Sequence, residues 1–176
     1  MIVFYQGRRG AGKTLTMVKD GLRFKLNDWN IYSNIKVEFE HTLLSSEEII
    51  NIKKSDIQNC VLMIDEIQIL LDSRRGMKKS NIDFSAFIQQ IRKRNIIILC
   101  TTQYSNNVDL RFRQHVDIIA RPRYLKRYNV VEVVYMDITT EDEYDTAYNI
   151  DSMTIVYNPS NIFGLYNTNT IIKGEV

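Results

Sequence analysis

Ile2-Val-Phe-Tyr-Gln6 runs directly into Gly7-Arg-Arg-Gly-Ala-Gly-Lys-Thr14, and a helical pattern opens at Lys13 and continues to about Phe24. The eight residues from Gly7 fit G-x-x-x-x-G-K-[ST] at every fixed position, between a strand and a helix as the motif requires. Gly7, Gly10 and Gly12 let the backbone curl until successive N–H groups point inward as a concave anion nest. Gly7, Arg8, Arg9, Gly10, Ala11, Gly12, Lys13, Thr14 and Leu15 are therefore read as the phosphate-binding residues for ATP. Lys13 reaches the β- and γ-phosphates, the Thr14 hydroxyl binds Mg²⁺, and the helix N-terminus adds partial positive charge.

A second motif follows in the order this chemistry needs. "CVLMIDE" ends an apolar strand with Asp65 and Glu66. Asp65 is expected to hold Mg²⁺ and Glu66 to polarise a water for attack on the γ-phosphate. "NIYSNIKVEF" reads as a further strand, Ser45 and Glu48 as a capping box, "NIIILCTT" and "VDIIA" as two more strands. Phe84, Phe87, Ile88 and Ile91 mark one face of a helix. Strands alternating with helices imply an α/β fold with a mostly parallel sheet flanked by helices. At 176 residues, a core over 1–125 and a β-rich extension of the same domain over 126–176 are expected.

Composition excludes several classes. The longest apolar runs are five to six residues and no secretory signal opens the chain, so a cytosolic protein is expected. Cys60 and Cys100 lie in apolar runs without metal-ligand spacing, and two histidines, His41 and His115, give little for a metal site or triad. Charge is segregated. Residues 74–127 carry thirteen Lys and Arg against three acids, leaving ten basic and eighteen acidic residues elsewhere. That block is suited to a polyanion. Within it, Arg74, Arg75, Lys78 and Lys79 surround Gly76 as a loop able to grip a DNA backbone without reading bases, or simply to be solvated.

The phosphate loop with "VLMIDE" resembles the additional-strand, catalytic-glutamate division of P-loop NTPases. "DEIQILLDSRR", "FIQQIRKRNIIILCTTQ" and "VDLRFR" narrow this. The succession is similar to archaeal-type viral DNA-packaging ATPases and the zonular-occludens-toxin-like proteins of filamentous phages, both near the FtsK/HerA translocases. The resemblance covers about 1–123; the later "GLYNTNT" carries Asn167 where such proteins usually have Asp. It implies that the "NIIILCTTQ" strand lies between the phosphate-loop strand and the Asp-Glu strand. Gln103 would then sense the γ-phosphate, and Cys60 and Cys100 would lie too far apart to bond.

The resemblance also implies a homo-oligomeric ring, a hexamer, that moves DNA. Arg111 or Arg113 would enter a neighbour's site as an arginine finger, with Arg92 and Arg94 as rivals. Two arginines at i, i+2 on an extended segment point opposite ways, which leaves one to face the phosphate; Arg113 is preferred. The leading expectation is genome packaging into a capsid, with capsid-vertex or portal partners, in the host-cell cytoplasm or at the virion vertex. The alternatives are a zonular-occludens-toxin-like virion assembly ATPase and a non-motor P-loop protein. Relatives of the toxin type usually carry a membrane span, and the lack of one here favours packaging.

Overall fold

The computed structural model describes residues 1–52, 56–71, 84, 86–138 and 151–167. Its strands are β1 (Ile2–Gln6), β2 (Asn30–Ser33), β3 (Thr42–Leu43), β4 (Cys60–Ile64), β5 (Ile96–Thr102), β6 (Ile118–Leu125), β7 (Val130–Asp137) and β8 (Ser152–Tyr157). The α-helices with assigned bounds are α1 (Lys13–Lys25), α2 (Ser46–Ile50) and α3 (Leu110–Arg113), and Phe84 and residues 86–88 are also helical. All eight strands join one sheet in the order β3-β2-β4-β5-β1-β6-β7-β8. The first six run parallel, and β7 and β8 are added antiparallel.

Register places the functional loops. Gln6 lies beside Thr102, and Cys100 beside both Phe4 and Ile64, so β1, β4 and β5 end at one edge of the sheet. The phosphate loop, Asp65-Glu66 and Gln103 all leave from that edge, where open parallel sheets bind ligands. β5 lies between β1 and β4, as the resemblance implied. Cys60 pairs with Ile96 and Cys100 with Ile64, at opposite ends of their ladder, and both thiols are free and buried.

Alternation along the strands builds two cores. Ile2, Phe4, Leu62, Ile64, Ile98 and Cys100 face one layer, where Phe84, Phe87, Ile88, Ile91 and Phe112 cover them. Phe4, Phe112, Phe84 and Phe87 form a chain of ring contacts at 5.5, 5.7 and 5.7 Å. Val3, Tyr5, Val61, Met63 and Leu99 face the other layer, against Leu15, Met17 and Val18 of α1. Burial on both sides explains why β4 and β5 read as continuous apolar runs. α1 packs so closely that a Cβ on Gly21 would stand 2.4 Å from Met63 Sδ.

The C-terminal strands belong to the same layers. Asp20 of α1 accepts hydrogen bonds from Tyr5 Oη of β1 and Tyr135 Oη of β7, each at 2.8 Å, and pairs with Lys19. Thr16 and Tyr157 of β8 share a further bond at 3.0 Å. The chain then returns to the parallel end, where Glu38 N–H donates to Leu165 O at 2.8 Å and Tyr166 bridges Val37.

Two sequence expectations change. The strand expected through Phe39 stops at Ser33, because Asn34 turns away to bond Asp65. β6 continues through Pro122 to Leu125. β1 pairs with it only as far as Ala120, so Pro122 lies beyond that ladder, where its missing N–H is tolerated.

Candidate active site

Gly10 (φ 73°) and Gly12 (φ 95°) take left-handed conformations that curl the loop between β1 and α1. The loop closes on Ala11 N–H to Arg8 O (3.2 Å), and Gly7 N–H reaches Thr102 O of β5 (3.4 Å). No acidic residue occupies the first turn of α1, where one would ordinarily stabilise the helix, so its N–H groups suit an external anion. Lys13 is 7% exposed and its ammonium donates to Arg8 O at 3.3 Å. Burial lowers its pKa, while the charges of Glu66 and Asp65 pull it back up.

Asp65 is held on all sides. Its Oδ1 accepts from Thr14 Oγ1 (2.8 Å) and from Thr101 Oγ1 (2.7 Å). Its backbone is fixed by Asn34, which donates to Asp65 O (2.9 Å) and accepts from Asp65 N–H (2.7 Å). Burial pushes the Asp65 carboxyl up, against the two threonine hydroxyls that favour its ionised form. A hydroxyl and a carboxylate on adjacent loops are the hard oxygen donors that Mg²⁺ takes alongside phosphates and water. Among the described residues no group of three or more His, Cys, Asp or Glu could enclose a metal. Thr14 and Asp65 are the residues that could hold such an ion.

Glu66 takes a left-handed conformation (φ 54°, ψ 54°), which is costly for a residue with a Cβ and turns its side chain off the strand line. Thr101 Oγ1 fixes it by accepting Glu66 N–H at 2.8 Å. Gln68 Nε2 donates to Glu66 Oε2, and Gln68 Oε1 is buried with no hydrogen-bond partner among the described residues. Sequence reasoning singles out Asp65 and Glu66 and misses the three residues that position them. Thr101 is visible as the first polar residue after an apolar run; Asn34 and Gln68 leave no recognisable signal.

Gln103 follows Thr102 directly at the mouth of β5 and is half-buried beside the start of the phosphate loop. Arg111 and Arg113 lie on α3, not on the extended segment that the alternation of "VDLRFR" suggests. Asp109 caps this turn by accepting Arg111 N–H at 2.9 Å, which starts a helix where the pattern imitates a strand. Arg111 also grips Asp109 with its guanidinium, Nε to Oδ1 at 3.0 Å and NH2 to Oδ2 at 2.9 Å. Arg113 donates to neutral acceptors, Val108 O at 3.0 Å and Asn106 Oδ1 at 3.2 Å. Arg92 pairs with Asp117 and Arg94 with Gln90, both before β5 begins and so at the far end of the sheet. Arg74, Arg75, Lys78 and Lys79 lie outside the described residues.

The model of the family described as zonular occludens toxin (Zot) matches residues 1–172. The chain belongs to the Zot family. The match runs well past the 1–123 expected from the motifs and takes in the C-terminal strands. In structure the chain resembles the N-terminal domain of zonular occludens toxin from Neisseria meningitidis, with TM-score 0.68 and 20% identity over 94% of this chain and 98% of that one. It also resembles the genome packaging NTPase B204 from Sulfolobus turreted icosahedral virus 2 in complex with ATP-gammaS (TM-score 0.60, 11% identity, 86% and 95% covered). A further solved ATPase domain shares the fold (TM-score 0.56, 13% identity, 94% and 83% covered). No curated protein sequence matches. The architecture of this Zot-family chain is therefore that of a P-loop NTPase.

The end of the Zot-family match contributes to the site. A cavity of about 360 Å³ opens on Gly10, Gly12, Lys13 and Thr14, and Tyr124, Phe163 and Tyr166 also line it. The Tyr166 hydroxyl is pushed up to about 12, first by burial and then by the negative charge of Asp65. Asn167, which departs from the usual signature, lines the same cavity.

Proposed function

We propose that the chain is a Mg²⁺-dependent ATPase of a viral assembly machine, hydrolysing the β–γ bond of ATP and acting on DNA within a homo-oligomeric ring. One observation carries the ATPase part of this. Thr14, Asp65 and Thr101 come from three separate segments and meet within 2.8 Å, with Lys13 close enough to feel both Asp65 and Glu66.

The loop amides and Lys13 hold the phosphates, Lys13 exchanging the Arg8 carbonyl for a charged acceptor. Mg²⁺, when bound, neutralises charge on the phosphate oxygens. Glu66, turned off the strand by its backbone, takes the proton of the attacking water. Gln103 reports the γ-phosphate from the end of β5.

Arg113 suits the trans finger better than Arg111. Its acceptors are neutral and would yield to a phosphate, whereas Arg111 is bound to a carboxylate on its own turn. A finger of this kind is worth about 10³–10⁵ in rate. A hexamer, and DNA contact by Arg74, Arg75, Lys78 and Lys79, belong to the same proposal.

Family membership supports virion assembly and export, the alternative weighed from sequence, over capsid filling. Among the described residues no helix is long and apolar enough to cross a membrane. The likeness to a packaging NTPase keeps capsid filling as the second reading.

The decisive assay mixes subunits. Glu66→Gln and Arg113→Ala chains are each inactive alone, but a mixed ring contains interfaces with both groups intact and recovers hydrolysis. Lack of recovery removes Arg113 from the neighbour's site, and hydrolysis that survives Lys13→Ala removes the proposal as a whole. A virus carrying Lys13→Ala separates the two readings: empty capsids indicate packaging, and unexported DNA–protein complexes indicate assembly.

A further inference from the structure

The cavity at the phosphate loop is lined by residues of two kinds, the loop residues Gly10, Gly12, Lys13 and Thr14 with Asp65, and a group of aromatic rings. Tyr124 and Phe163 meet edge to face, with centroids 5.7 Å apart and planes at 62°, and both line the cavity. Tyr124 starts beside the loop itself: its Cβ lies 3.8 Å from where a Cβ on Gly12 would stand.

The pair is held in place from outside the cavity. Tyr124 Oη donates to Asn129 Oδ1 at 3.1 Å, and Asn129 Nδ2 donates to Ser160 Oγ at 2.9 Å. Phe163 opens a short 3₁₀ turn whose neighbours Ile162 and Leu165 pack against the core, yet it stays 41% exposed. A large apolar ring kept open to a cavity, by flanking residues that are themselves anchored, is a surface waiting for a flat apolar partner.

We propose that Tyr124 and Phe163 form the stacking platform for the nucleotide base, and that they read its face and not its hydrogen-bonding edge. The inference rests on the ATPase reading above. The Tyr124 hydroxyl is engaged with Asn129 and Phe163 has none, so neither ring offers a group to distinguish adenine from guanine. Every base presents a π-face, and such stacking is tolerant of base identity. The platform therefore takes a base by its face, adenine and guanine alike.

Calorimetric titration with ATP, GTP and inorganic tripolyphosphate tests this on the full chain, on Phe163→Ala, on Phe163→Trp and on Lys13→Ala. ATP and GTP should bind wild type within about three-fold of each other, and tripolyphosphate at least about ten-fold more weakly. Phe163→Ala should weaken both nucleotides about ten-fold, the scale of one base–aromatic stack, and leave tripolyphosphate unchanged. Phe163→Trp should retain nucleotide affinity, and Lys13→Ala should weaken all three ligands. The platform is refuted if Phe163→Ala binds ATP like wild type, or loses tripolyphosphate equally. A preference of more than about ten-fold between ATP and GTP refutes readout by the face alone. Wild type that binds none of the three overturns the ATPase reading, and the platform with it.

Discussion

Thr101→Val is the sharpest test of how the site is held. Valine keeps the shape of threonine and removes the hydroxyl, which here both donates to Asp65 Oδ1 (2.7 Å) and accepts Glu66 N–H (2.8 Å). Thr101 is fully buried, so water cannot replace either bond at that position. A hydrogen bond to a charged group contributes about 1.5–3 kcal/mol, and a buried N–H left without an acceptor costs about 1–3 kcal/mol. With partial relaxation, a loss of about 3 kcal/mol in urea unfolding is expected. Thr101→Ser keeps the hydroxyl and should lose no more than about 1.5 kcal/mol, the scale of one methyl group. In an Asp65→Asn background the Thr101→Val loss should shrink, because a neutral amide gains less from the hydroxyl. Thr101→Val should also lower kcat more than it raises KM, since it frees Glu66 without touching the phosphate loop. Stability within about 0.5 kcal/mol of wild type would refute the reasoning, because a surface threonine would behave that way.

Asp65→Asn should destroy Mg²⁺-dependent hydrolysis while raising the melting temperature of the nucleotide-free protein. Burial raises the Asp65 carboxyl above its unfolded value, so its stabilising contribution is complete in acid and is lost as pH rises through the folded pKa. The gap between the variant and wild type should accordingly vanish in acid and open above that window in a pH series of melts. Glu66→Gln should lower kcat by about 10²–10⁴-fold in a phosphate-release assay. Gly21→Ala should destabilise by about 1–3 kcal/mol in urea unfolding through its clash with Met63, and Met63→Val should relieve part of that loss. Cys60, whose thiol burial pushes up to about 11, and Cys100, whose thiol burial also raises, should resist thiol reagents at pH 8. Both should react once the chain is denatured.

The phosphate loop, Asp65-Glu66 and the central strands are legible because each depends on local chemistry: glycine conformations, continuous apolar runs, a polar stop. The Ser45–Glu48 capping box is present for the same reason. What escapes depends on contacts between distant segments. Asn34 and Thr101 act on Asp65 from 31 and 36 residues away; Thr101 shows only as a polar stop after an apolar run, and nothing near Asn34 announces its role. The arginine segment misleads because "VDLRFR" alternates like a strand, while the Asp109 cap that turns it into a helix is a three-residue event. "GLYNTNT" stands out in the sequence without a place in the site, since only folding brings Tyr166 and Asn167 to the cavity.

The bridge between Val37 and Tyr166 sets a timetable for biosynthesis. The phosphate loop is among the first parts of the chain to be made, but β1 has no neighbour until β5 and β6 follow it, Ile2 pairing with Ile98 and Val3 with Ile118. Phe163 and Tyr166, which line the same cavity, are made later still. A ribosome-bound or prematurely terminated chain thus carries the nucleotide signature without a finished nucleotide site. Nucleotide binding should accordingly appear in nascent chains only once residues 163–166 are made, and not when the phosphate loop is complete.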